Sequence, residues 1–249
     1  MSDPLRLVIG YDATEKAGVY TFIESVLKHA SRPVMFTLLA KDTLRKDNLY
    51  WRERGEDEAT EFSRTRFLAP YLAGYKGQVA FLDGADMICQ GDIAELFEYC
   101  HPGQDLSVVK LDYKPSATTK FGNTGTQQRP YKYKLWSSVC VFNAYTPACQ
   151  RLTPKYINEA TGAELHQFDW VVTRHAATAT PKDFDKDAII ARRVGEIPEE
   201  WNYIPGHSDF PIEEAKLVHL TMGGPWHPGH GVKDEADKLW VEACREIQS

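Results

Sequence analysis

Four consecutive apolar residues, Val79 to Leu82, run directly into Asp83-Gly84-Ala85-Asp86. A run this short and this apolar reads as a strand buried on both faces, the kind found at the centre of an α/β sheet. Ligands in such sheets bind just beyond the carboxyl ends of the strands, and this strand ends in two carboxylates. Paired acids delivered there suit a hard divalent cation such as Mg²⁺ or Mn²⁺, which takes carboxylate oxygens together with substrate phosphates. The other reading is an acidic turn leading into a capped helix. Asp92 stands as an N-cap before Ile93-Ala94-Glu95-Leu96, with Glu95 three residues on. Capping accounts for Asp92 and Glu95, but not for two further acids directly behind an apolar strand.

The spacing of those acids matters. On a strand, residues two apart share a face and residues three apart do not. Asp83 and Asp86 therefore converge only if the backbone turns or bulges between them, which Gly84 permits.

The N-terminal third supplies the frame. Leu5–Gly10 reads as a strand. Thr14–His29 reads as a helix with Val19, Phe22, Ile23, Val26 and Leu27 on its apolar face, and Val34–Leu39 as a second buried strand. This is a βαβ unit with a right-handed crossover. Its first turn lacks Gly-x-Gly-x-x-Gly, which argues against a dinucleotide site. A third strand is expected at Leu106–Leu111 and another at Leu135–Asn143. With 249 residues, 43% of them hydrophobic, the chain suits one large α/β domain. Its net charge of −6 argues against nucleic-acid binding. No apolar run reaches transmembrane length, and the first residues lack a signal peptide's apolar core. Five cysteines with no Cys-x-x-Cys spacing read as free thiols in a reducing cytoplasm.

Phe81-Leu82-Asp83-Gly84-Ala85-Asp86, followed by Gly91-Asp92-Ile93-Ala94-Glu95-Leu96-Phe97, resembles the Asp-x-Asp segment of glycosyltransferases with the GT-A fold, and most closely glycosyltransferase family 8. The chain has one residue more between its acids than that motif. Four further segments resemble the family in the same order. They are the first strand with Tyr11 and Asp12, the helix with Arg66, Ser137-Ser138-Val139, and His219 followed by Gly223-Gly224-Pro225-Trp226. The resemblance implies a single GT-A, Rossmann-like domain over residues 1–249, with a central mixed, mostly parallel sheet flanked by helices. It implies a metal-dependent enzyme that moves a sugar from a nucleoside-diphosphate donor, a UDP-sugar, to a carbohydrate or other hydroxyl acceptor with retention. It assigns Asp83, Asp86 and His219 to Mn²⁺ or Mg²⁺. It assigns Tyr11 and Asp12 to the base and ribose, Gly223 and Gly224 to the diphosphate, Arg66 to a phosphate or to bracing the metal-site acids, and Ser137, Ser138 and Asn202 to the donor. Gln167 and Asp169 fall near the family's Asp-Gln-Asp, with His166 replacing its first acid, and are the catalytic candidates beneath the anomeric carbon; the alternative is attack from the same face assisted by the leaving phosphate.

Alternatives stay open on the residues alone. Tyr11 and Asp12 also read as a core tyrosine beside a turn acid, and helical spacing does not separate Arg66 from Arg64. Ser137 and Ser138 also fit a structural role, and Asp169 also fits a helix cap. The lysine that the family places before Pro-Trp is absent, Gly224 standing before Pro225. That departure supports a non-catalytic nucleotide-sugar binding protein. A nucleotidyltransferase is the other rival, although Gly10-Tyr-Asp-Ala-Thr is a poor match to its Gly-rich, basic loop. Residues 114–134 are expected to form an acceptor loop or lid, and residues 172–193 an exposed insertion.

Overall fold

Among the described residues, alternating strands and helices fold into one six-stranded sheet and one small two-stranded sheet. The computed structural model describes residues 3–53, 60, 62–113, 132–176 and 185–247. The strands are β1 (Leu5–Gly10), β2 (Val34–Leu39), β3 (Gln78–Leu82), β4 (Met87–Cys89), β5 (Leu106–Val109), β6 (Val139–Asn143), β7 (Val194–Ile197) and β8 (Leu217–His219). The helices are α1 (Lys16–His29), α2 (Lys41–Lys46), α3 (Ala69–Leu72), α4 (Ile93–Leu96), α5 (Pro154–Glu159), α6 (Gly162–His166), α7 (Asp169–Ala176), α8 (Lys186–Arg193) and α9 (Glu235–Glu246).

The large sheet runs β2-β1-β3-β6-β5-β7. The β1–β2, β1–β3 and β5–β7 pairs are parallel, while β6 runs antiparallel to both neighbours, β3 and β5. The sheet is thus mixed and mostly parallel, flanked by helices, as expected. In β3, residues Val79–Leu82 are buried, consistent with a central strand covered on both faces. The small sheet pairs β4 with β8 antiparallel, and Met87 lies opposite His219. α1 packs against β4 and α9. A satellite cluster containing Ile88, Val218, Leu220 and Trp240 ties α9 to the small sheet. α5 and α6 start on threonine caps, Thr153 and Thr161, the second of which forms a full capping box with Glu164.

Several local expectations shift. β2 is not buried throughout: it is an edge strand, and Met35 is 56% exposed. Leu27, placed on the apolar face of α1, lies half exposed. Asp92 does cap α4, accepting from the Ala94 N–H, but Glu95 pairs with Lys216 instead of closing a capping box. The strand expected from Leu135 starts only at Val139. Residues Trp136–Ser138 form a 3-10 turn, fastened where the Ser138 hydroxyl donates to the Leu135 carbonyl at 2.6 Å. The described ends of 172–193 are not an exposed loop: they belong to α7 and α8, and Val172, Ile189 and Ile190 are buried. The middle of that segment, 177–184, lies outside the described residues, as does 114–131 of the expected lid.

Candidate active site

Asp83 follows β3, Asp86 precedes β4 and His219 closes β8, so the two sheets bring two neighbouring acids and a histidine far along the chain to one edge. The turn between the acids makes this possible. Gly84 sits at φ +68°, in the left-handed region, and the Ala85 N–H donates to the Asp83 carbonyl at 2.7 Å. α1 approaches this turn so closely that a Cβ on Gly18 would stand 1.8 Å from the Ala85 carbonyl oxygen. One potential ligand atom from each of Asp83, Asp86 and His219 lies within 4.8 Å of the others. His219 Nε2 is 3.3 Å from Asp86 Oδ2 and 3.9 Å from Asp83 Oδ2.

The groups behind this cluster set its chemistry. His219 is 1% exposed, and its Nδ1 lies 2.8 Å from Asn202 Oδ1. Asn202 Nδ2 in turn donates to the Ser138 hydroxyl at 3.0 Å, which orients the amide with its oxygen toward the histidine. Nδ1 therefore carries a proton, and in the neutral ring the Nε2 lone pair faces the two carboxylates. Nε2 is buried without a hydrogen-bond partner among the described residues. A lone pair set against two carboxylate oxygens is satisfied by a cation between them. Two oxygen donors and one imidazole, with the imidazole fixed by a second hydrogen bond, form a donor set that fits a divalent metal ion.

On the other side, Arg66 is buried, and its Nη1 lies 2.9 Å from Asp83 Oδ1. The same nitrogen donates to the Ser137 carbonyl at 2.8 Å, and the guanidinium lies over Phe81, 4.9 Å from the ring centroid. Arg64 is turned away and donates to the Ala160 carbonyl, so the structure separates the two arginines. The Ser137 hydroxyl lies 2.8 Å from Nδ1 of His166. Burial, together with the charges of Arg66 and Arg64, pushes the His166 imidazole down to about 3. His166 is thus a neutral group where an acid would have competed for Arg66.

The remaining expected residues are placed as follows. Tyr11 packs half-buried against the core, and Asp12 accepts from the Thr14 N–H and hydroxyl in a local turn. Gln167 ends α6, half-buried, while Asp169 opens α7 and pairs with Lys186 rather than joining the acid cluster. Gly223 adopts φ +93°. Gly224 is pressed under Trp226, and a Cβ there would stand 2.2 Å from the indole ring. Sequence reasoning missed Glu15 and His227, whose side chains meet at 3.0 Å, and the Trp226 indole N–H lies 3.4 Å from the same glutamate oxygen. Burial lowers the His227 pKa while the charge of Asp86 works the other way, which places His227 within electrostatic reach of the cluster. No motif marked either residue.

The fold is that of GT-A-like glycosyltransferases. The WbbM bifunctional glycosyltransferase aligns at TM-score 0.53 and 16% identity, and GlyE of Streptococcus pneumoniae TIGR4 at 0.56 and 16%. This chain is covered to 98% and 97% in those alignments, but it spans only 50% of the WbbM chain and 60% of the GlyE chain. An active-site mutant of LgtC aligns at 0.54 and 12% identity, covering 97% of this chain and 96% of that one. LgtC has also been captured, as a galactosyltransferase, with donor and acceptor sugar analogues. No family model matches the sequence. Protein CDI of Arabidopsis thaliana is 36% identical over 247 residues, covering 98% of this chain and 87% of CDI. The chain belongs to the CDI family.

Proposed function

We propose that this chain is a metal-dependent glycosyltransferase of the family 8 type, a single domain over residues 1–249. It transfers a sugar from a UDP-sugar to a hydroxyl acceptor with retention of configuration. The observation that carries the reading is the cluster of Asp83, Asp86 and His219 at one edge of a GT-A-like sheet, with Nε2 of His219 aimed at both acids.

Asp83, Asp86 and His219 are the residues that would hold Mn²⁺ or Mg²⁺. When bound, that ion supplies positive charge for the diphosphate of the departing nucleotide. Asn202 holds the His219 proton on Nδ1 and so keeps the ligating lone pair available. Arg66 occupies Asp83 Oδ1, which leaves Oδ2 as the oxygen turned toward His219, and balances one of the two acid charges. Ser137 and Ser138 hold this frame through His166 and Asn202, so we assign them a positioning role. Tyr11 and Asp12 are assigned to the nucleobase and ribose, and Gly223 with Gly224 to the diphosphate by close backbone approach; the Gly223 N–H itself donates to the Leu220 carbonyl at 2.9 Å, which leaves the Gly224 N–H as the candidate donor. Gln167 and Asp169 are assigned to the donor sugar. The ion pair of Asp169 with Lys186 argues against its acting as a nucleophile. Cys89, Cys100, Cys140 and Cys149 are buried free thiols, which fits a reducing cytoplasm.

One observation favours a second reading, a nucleotide-sugar binder without turnover. Gly224 stands where the family carries its cationic residue, and Trp226 leaves no room there for a side chain. Calorimetry with UDP, with and without Mn²⁺, followed by assay of slow UDP-sugar hydrolysis, separates the two. Metal-dependent binding with hydrolysis supports the enzyme, metal-dependent binding without it supports the binder, and no binding with any metal removes both.

A further inference from the structure

Glu15 stands in the N-cap position of α1 without capping it: its side chain accepts no bond from the helix. Glutamate is not a favoured N-cap, and at 8% exposure its carboxylate needs partners elsewhere. It finds them at the far end of the chain. The Trp226 indole N–H donates to Glu15 Oε1 at 3.4 Å, and Nε2 of His227 lies 3.0 Å from the same oxygen.

The ring that Glu15 holds is the one pressed on Gly224. Trp226 also packs on Trp240 and on His227, at 5.2 and 5.3 Å between ring centroids, and the His227 N–H donates to the Gly224 carbonyl at 3.0 Å. Gly224 is buried, yet its own N–H donates to no group among the described residues. Buried backbone N–H groups are rarely orphaned, so this one is set for an acceptor that a ligand brings. Where it points depends on the ring above it, and the tilt of that ring depends on Glu15. The same glutamate belongs to the other half of the site. Its N–H donates to the Asp12 carbonyl at 3.0 Å, in the turn that carries Tyr11 and Asp12. Glu15 is therefore where the turn after β1 is fastened to the segment after β8.

We propose that Glu15 is a positioning residue for the diphosphate. By holding the Trp226 N–H it fixes the indole, and the indole sets the Gly224 N–H toward a phosphate oxygen. The role rests on the nucleotide-sugar reading, and its test keeps the two apart. UDP is titrated by calorimetry in Mn²⁺, and uridine, which keeps base and ribose but no phosphate, by NMR. Glu15→Ala should weaken UDP about tenfold, the scale of one lost charge-assisted hydrogen bond, and leave uridine within about twofold. Glu15→Gln keeps an acceptor oxygen and should bring UDP back to within about threefold. Trp226→Phe keeps a ring over Gly224 and removes only the N–H, so it should match Glu15→Ala, and the double variant should lose little more than either alone. If Glu15→Ala does not fold, Glu15→Gln and Trp226→Phe carry the same predictions. UDP binding like wild type in Trp226→Phe or Glu15→Ala overturns the role. So does an equal loss of UDP and uridine, which marks a merely structural contact, and so does full additivity in the double variant. In each of these cases wild type still binds UDP with Mn²⁺, and the nucleotide-sugar reading stands. Wild type that binds no UDP with any metal removes that reading and this role together.

Discussion

The Asn202 amide oxygen lies 2.8 Å from Nδ1 of His219 and fixes which nitrogen of the ring faces Asp83 and Asp86. Its own orientation comes from Ser138, so a serine in the turn before β6 sets the state of a histidine at the end of β8. Asn202→Ala should lower Mn²⁺ affinity about 10–100-fold, the usual cost of losing the outer partner of a metal-bound histidine. Mn²⁺ titration followed by electron paramagnetic resonance reads this directly. Unchanged affinity in a folded variant would remove the orienting role.

Gly84 carries two demands at once, a positive φ and a tight fit, since a Cβ there would stand 2.4 Å from Ile9 Cγ2. Gly77 shares the φ, at +63°, but has open space around it. Gly77→Ala should cost about 1–2 kcal/mol, the strain of a left-handed backbone alone. Gly84→Ala should cost about 1–3 kcal/mol more from overpacking and should also weaken Mn²⁺ binding, because the turn it distorts joins the two acids. Urea denaturation of both variants tests the difference, and equal losses would contradict it.

Gly224→Lys separates two views of the missing lysine. The structure leaves no room for a side chain, because Trp226 covers Gly224 and is itself packed on Trp240 at 5.2 Å between ring centroids. The substitution should therefore weaken UDP binding and lower the melting temperature. Tighter UDP binding in Gly224→Lys, most visible at low metal, would show that the loop rearranges to seat the ammonium.

His166 gives a pH signature. Its imidazole is held down to about 3 in the fold from an ordinary 6.5, so between those values the unfolded chain binds a proton that the folded chain does not. Stability from this group is complete above pH 6.5 and is lost as pH falls toward 3. His166→Gln should flatten the decline between pH 6.5 and 5, where few carboxylates titrate. Chemical denaturation of wild type and variant across that window measures the difference, and parallel curves would contradict it.

Much of this arrangement was legible in the sequence, for local reasons. The apolar runs at Leu5–Gly10 and Val79–Leu82 mark central strands because both faces are buried, and Gly84 announced a turn that the acid spacing required. The edge position of β2 was hidden, since strand order depends on partners far along the chain. So was the choice between Arg66 and Arg64: Thr65–Leu68 winds as a 3-10 rather than an α-helix, and it is the Arg66 guanidinium that meets Asp83. Asp169 read as a spare carboxylate because its partner, Lys186, lies seventeen residues further along the chain. Glu15 and His227 carry no motif, and only packing gives them a setting.

The most direct test of the account is calorimetric titration of UDP into wild type and Asp86→Asn, each with and without Mn²⁺. The substitution removes one charge at nearly constant volume, and Asp86 lies 3.3 Å from the lone-pair nitrogen of His219. Wild type should bind UDP much more tightly with Mn²⁺ than without, and Asp86→Asn should lose that difference while melting near the wild-type temperature. UDP binding that ignores Mn²⁺ in wild type, or survives unchanged in Asp86→Asn, would contradict the metal-centred reading.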